Sequence, residues 1–342
     1  MAAPPARRRK TMVSESVEDT CDGRFAPETS ASAEINKPVE LPKGPHVRAV
    51  VTRPRILQMI FDILSTVSTS TTLVFNSKGM IHADQTPRGT MVMYVNAFRD
   101  ETNPNVYSCN TNYMVVVDPT QVKAAFSFNK NSVYTMTITG EMPTYMTITE
   151  TDGVLTQVTR ISFLNAESSM RNIEDGQYSM HLDMNTDLLN QLLKRIQNYY
   201  RRNQSGADEV FTLSMEDGAL RLNASHFNNA IDLSVIENAD STSGVKVTQL
   251  DMATKTALFK KTYSLSLFIT VVSKMATVFE YLKIFIPDTD GADGDAATAA
   301  SDGNSDDGEL KTSLKDVLCI QAEIQGCLLR FFIASRLEED DD

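Results

Sequence analysis

The feature that most constrains this chain is a pattern of apolar periodicity that occurs twice, with matching elements about 125 to 145 residues apart. In the first copy, helical spacing over Arg55 to Ser68 precedes a strand at Thr72 to Asn76. A Lys78-Gly79 turn and a β segment from Met80 to Phe98 follow, the segment bending at Pro87-Arg88-Gly89. The second copy repeats the order with a helix over Thr186 to Arg202, a strand at Glu209 to Met215, an Asp217-Gly218 turn, and strands at Ala219 to Ala224 and Ala230 to Ile236. Asp-Gly between alternating apolar runs is a strong hairpin signal, and Lys-Gly a weaker one.

Each copy then gives a second helical segment, Pro119 to Phe128 and Ser264 to Thr277, and closes on strands. These are Val133 to Thr139, Tyr145 to Glu150 and Leu155 to Phe163 in the first copy. Phe279 to Ile286, Asp316 to Gln325 and Leu328 to Ala334 stand in their places in the second. The expected fold class is α+β, in two like lobes of two helices and about eight or nine short strands each.

The boundaries follow from where this order starts and stops. Residues 1–46 lack hydrophobic periodicity, are punctuated at Pro38 and Pro42, and read as a disordered tail. The lobes are expected at 47–164 and 177–337, joined by a polar connector, 165–176, in which Met170 and Ile173 are isolated apolar residues. An acidic insertion, 288–312, interrupts the second lobe, and 338–342 form an acidic tail.

A net charge of −12 speaks at first against nucleic acid, because phosphate binding needs a concentrated positive surface. Location changes that reading. Eight acids and no base lie between Asp288 and Glu309, and five more acids end the chain; without those thirteen the remainder carries +1.

The helix over Thr186 to Arg202 separates its residues most cleanly. Leu188, Leu189, Leu192, Leu193, Ile196, Tyr199 and Tyr200 share one arc, and Asp187, Gln191, Lys194, Arg195, Asn198, Arg201 and Arg202 share the other. Four bases with one acid suit sequence-independent tracking of a phosphate backbone. A solvated face whose bases favour the helix C-terminus explains the same residues. Lys255, Lys260, Lys261 and Lys274, in and just before the second helix of the second copy, and Lys123 in its counterpart extend the basic side; solvation explains each singly. The first helix adds little, since Asp62 lies on its polar side.

Catalytic and metal readings find no support. Cys21, Cys109, Cys319 and Cys327 are scattered and expected as free thiols, the four histidines are not spaced as zinc ligands, and no phosphate-binding glycine motif occurs. Neither enzyme activity, cofactor nor metal is expected. The acidic insertion lacks EF-hand spacing. No apolar run of about eighteen residues indicates a membrane span. The run Arg7, Arg8, Arg9 and Lys10 fits a nuclear-import signal, although short basic runs also arise by chance.

The C-terminal run Cys327-Leu328-Leu329-Arg330-Phe331-Phe332-Ile333-Ala334-Ser335-Arg336-Leu337-Glu338-Glu339-Asp340 resembles the terminal strand and acidic tail of the proliferating cell nuclear antigen family of DNA sliding clamps. Tyr263 to Lys274 is similar to that family's second-lobe helix, and Ile173 followed by Tyr178-Ser179 to the end of its connector. The resemblance spans Val47 to Asp342 at low identity and rests on the order of these motifs.

The resemblance implies a closed ring, usually of three subunits, with sheets outside and helices lining a hole for duplex DNA. Lys194, Arg195, Arg201, Arg202, Lys123, Lys261 and Lys274 would face that DNA. It implies docking of DNA polymerase and other partners carrying the family's peptide motif, action of a clamp loader, and a nuclear location or a viral replication site. The docking pocket would use Met170, Ile173, Val317, Phe332 and Ala334; plain sheet core explains Val317 as well. Two departures bear on pocket specificity: Met170 or Arg171 stands where the family has a connector leucine, and Val317 where it has proline. The acidic insertion, ending just before the late strand, is expected beside this pocket, selecting partners by charge. Large DNA viruses also carry clamp-like polymerase accessory proteins or transcription factors that bind DNA as monomers or dimers, and this chain is compatible with that origin.

Overall fold

A computed structural model describes residues 43–336 apart from 87–89, 100, 127–131, 169, 171, 174–177, 204–208, 217–218, 227–228, 239–243, 250–258, 288–310, 313–316 and 325. The expected N-terminal tail to residue 42, the acidic stretch Asp288 to Glu309, the acidic tail, the Pro87-Arg88-Gly89 and Asp217-Gly218 turns, Cys21, Arg171 and Lys255 lie outside the described residues.

The protein is mixed and sheet-rich. Its first half runs β1 (His46–Val51), α1 (Pro54–Val67), β2 (Thr71–Asn76), β3 (Gly79–Gln85), β4 (Met91–Ala97), β5 (Tyr107–Cys109), β6 (Tyr113–Val117), α2 (Pro119–Ala125), β7 (Val133–Thr139), β8 (Tyr145–Thr151) and β9 (Thr156–Ser162). A two-residue strand, β10 (Asn172–Ile173), lies in the connector. The second half runs β11 (Tyr178–Asn185), α3 (Thr186–Arg202), β12 (Val210–Glu216), β13 (Ala219–His226), β14 (Asn229–Ile236), β15 (Val245–Gln249), β16 (Lys260–Ser264), α4 (Leu265–Met275), β17 (Tyr281–Pro287), β18 (Lys311–Thr312), β19 (Leu318–Ile324) and β20 (Cys327–Ile333).

The helices start where local chemistry fixes them. Pro54 and Pro119 occupy first-turn positions whose N–H groups need no helical partner. Asp118 accepts from Thr120 N at 2.8 Å, and Asn185 accepts from Leu188 N at 3.1 Å, each satisfying an orphan donor. At the β2–β3 hairpin Gly79 has φ 126, and a Cβ there would sit 2.4 Å from the carbonyl oxygen of Ala97, so only glycine fits.

The two halves have one strand plan. The first contributes β5-β1-β7-β8-β9 and β4-β3-β2-β6; the second contributes β15-β11-β17-β19-β20 and β14-β13-β12-β16 in the same order. The five strands of the second half and the four of the first are hydrogen-bonded into one nine-stranded sheet through β20 and β4, from Cys327 opposite Ala97 to Ile333 opposite Met91. The first half's five strands and the second half's four remain separate sheets.

α1 packs on α2 within the first half and on α4 across the halves, and α4 packs on α3, giving a helix layer in the order α2–α1–α4–α3. Strand positions facing it, such as Met93, Val95, Leu329 and Phe331, join Ile60, Phe61, Leu193, Ile196, Phe268 and Val272 of the helices in one buried core. Burying each such side chain stabilises by roughly 1.5–3 kcal/mol.

Candidate nucleic-acid interface and apolar row

α3 buries Leu189, Leu192, Leu193, Ile196 and Tyr200 and exposes Gln191, Lys194, Arg195, Asn198, Arg201 and Arg202. Its orientation is fixed from below: the Tyr200 hydroxyl donates to the Val210 carbonyl at 2.5 Å, and that of Tyr199 to the Asn229 carbonyl at 2.6 Å. Asp187 in the first turn and Arg201 and Arg202 in the last complement the helix dipole. The face is thus a rigid, exposed line of four cations on the side of the helix turned from the core.

Lys123 of α2 and Lys274 of α4 belong to the same layer in a different state. Both ammonium groups are ion-paired to Asp62 of α1, one to each carboxylate oxygen. Lys261 lies just before α4, as expected, on β16, an edge strand of the four-stranded sheet, where it is half-buried and opposite Leu213.

On the face of the nine-stranded sheet turned from the helices lies a second apolar cluster. Val92, Cys319 and Phe332 are buried there, with Tyr94, Ile173, Tyr178, Phe285 and Val317 packed on them. Register makes this a row: Val92 stands opposite Phe332, Phe332 opposite Cys319, and Cys319 opposite Phe285. The Phe285 ring packs on Tyr178 and on His181, which lies 3.4 Å from the Asp183 carboxylate.

Of the residues expected in a docking pocket, Ile173, Val317 and Phe332 come together in this row. Met170 is exposed in the connector and outside the cluster. Ala334 is exposed just past β20, its N–H bonded to the Thr90 carbonyl at 3.1 Å, which puts it at the rim. Val92, Tyr94, Tyr178, Phe285 and Cys319 were not among the residues expected in the pocket. Their signal is an apolar residue at outward positions of strands whose inward positions are also apolar, as in CLLRFFI of β20.

The connector is held over this row. Asn172 and Ile173 pair in parallel with Lys311 and Thr312, while Tyr178 stands opposite Pro287. The chain therefore enters the 288–310 stretch and leaves it beside the same apolar row.

No protein-family model matches this chain, and no curated protein matches it. Among the described residues no group of three or more His, Cys, Asp or Glu side chains is placed to hold a metal ion. None of the described helices is long and apolar enough to cross a membrane. Cys109, Cys319 and Cys327 form no disulfide among the described residues, and burial pushes the Cys327 thiol up to about 12.

Proposed function

We propose that this chain is a subunit of a DNA sliding clamp, a non-catalytic ring that holds DNA polymerase and other partners on duplex DNA. The observation that carries the reading is the internal joint. β20 and β4 link the two halves, and their counterparts in the repeated plan, β9 and β14, are open edges among the described residues. Burial follows the difference. β20 and β4 are buried along nearly their whole length, whereas β9 and β14 are largely exposed. An open strand edge is a template for another strand. Joining β9 of one copy to β14 of the next repeats the β20–β4 joint in trans, a head-to-tail contact that closes into a ring when the rotation per subunit allows.

In such a ring the helix layer lines the hole, and the cations of α3 meet phosphates without reading bases. Residence time then comes from closure, not affinity. The apolar row on the opposite face takes the aromatic and aliphatic anchors of partner peptides.

Light-scattering size exclusion over a dilution series tests the reading. The expected mass is three times 37.9 kDa, stable to dilution. A mass of 37.9 kDa or its double at micromolar concentration overturns the ring and favours a clamp-like accessory protein gripping DNA from one side.

A further inference from the structure

Asp62 occupies the centre of the helix layer. It projects from α1, between α2 of its own half and α4 of the other. Its Oδ1 takes the Lys123 ammonium and its Oδ2 the Lys274 ammonium, so both acceptor oxygens are committed. The Asp62 side chain is 18% exposed, while the lysines are 40% and 39% exposed. Burial raises the Asp62 carboxyl, but the hydrogen bonds and charges of Lys274 and Lys123 outweigh it and hold the group below its usual range. The carboxylate is therefore charged at neutral pH. It presents to two ammonium groups the same pair of anionic oxygens that a phosphodiester would.

We propose that Asp62 is an internal stand-in for a DNA phosphate, occupying Lys123 and Lys274 so that the middle of the helix layer does not grip the duplex. The inference rests on the DNA-encircling reading and adds to it a division of labour: α3 makes the phosphate contacts, while the one carboxylate of α1 holds both ammonium groups of α2 and α4 and lowers the charge of that trio from +2 to +1. The physical logic is friction. Each ion pair with a phosphate must break before the protein advances, and each one formed adds roughly 0.9 to the slope of log affinity against log salt. Two lysines held internally are two contacts that need not be broken.

The test measures binding of a duplex of about 20 base pairs across a salt series, where each phosphate contact is counted by the slope. In Asp62→Asn the slope steepens by up to ~1.8 and affinity at low salt rises; in Asp62→Asn/Lys123→Gln/Lys274→Gln that gain is lost. A folded Asp62→Asn with an unchanged or shallower slope overturns the inference and leaves Asp62 a structural tie between the halves. Lys123→Gln/Lys274→Gln, with Asp62 intact, decides the matter even if Asp62→Asn does not fold. Its slope is expected within one contact of the native value, and loss of two contacts overturns the inference. Failure of the underlying reading is separate: native protein with no salt-dependent duplex binding, or binding unaffected by removing the α3 cations, withdraws both.

Discussion

His82 lies fully inside the first half, on β3, with its Nδ1–H donating to the Thr72 carbonyl at 2.9 Å and the Thr71 hydroxyl 3.0 Å away. Burial lowers its pKa, against the opposing pull of the Thr72 carbonyl and the Asp84 charge. A base depressed in the folded state stays neutral there while the unfolded chain takes up a proton near pH 6.5. The unfolded state then binds more protons, so stability is full above pH 6.5 and falls below it, by at most ~1.4 kcal/mol per pH unit for this one group. The repeat indicates the control. His82 is the second inward-facing residue after its turn, two beyond Met80, and Leu222, two beyond Leu220, holds the matching place on β13. His82→Leu is expected to cut the loss of unfolding free energy between pH 7.5 and 5.5 by about 1 kcal/mol in urea titrations. Parallel losses in the two proteins would exclude His82 as the source.

At the scale of elements, α3 makes the strongest claim, because its cations stand on a scaffold they do not support. Lys194→Gln, Arg195→Gln, Arg201→Gln and Arg202→Gln together leave the buried face and the helix propensity intact. Far-ultraviolet circular dichroism should stay unchanged while the salt slope of duplex binding falls by up to ~0.9 per residue removed. An unchanged slope would leave this face a solvated one. α3 was legible in the sequence because a helix carries its own periodicity, and the hairpins around Lys78-Gly79 were legible because turn chemistry is local. β1, β5, β6, β11, β15 and β16 were not: a strand exists by pairing with a neighbour, and β5, β6, β15 and β16 are only three or five residues long. The apolar row depends on cross-strand register over β4, β20, β19 and β17, and the Asp62 pairs on three helices meeting, so neither had a signal within a single segment.

For the whole molecule, the repeat carries a register as well as a topology. Ile161 stands opposite Met146 as Ile333 stands opposite Leu318, and Val235 opposite Leu220 as Ala97 opposite Met80. Transferring the pairing of β20 with β4 onto β9 and β14 then sets Val158 of one copy opposite Asp232 of the next and Leu155 opposite Val235. It also brings Val154, 100% exposed, against Ile236, 75% exposed, gathering the most exposed apolar side chains of both edges at one end of the contact. Arg160 falls diagonal to Asp232, within reach of a long side chain. Directly opposed residues have Cβ atoms ~5 Å apart, whereas residues four places along a strand are displaced by about 13 Å. A short bifunctional maleimide therefore reads the register: Val158→Cys/Asp232→Cys should give two- and three-subunit bands on a denaturing gel, and Val158→Cys/Ile236→Cys only the background of the parent chain. Equal ladders would mean the edges meet without this register, and bands from neither would mean that the halves repeat their joint only within one chain.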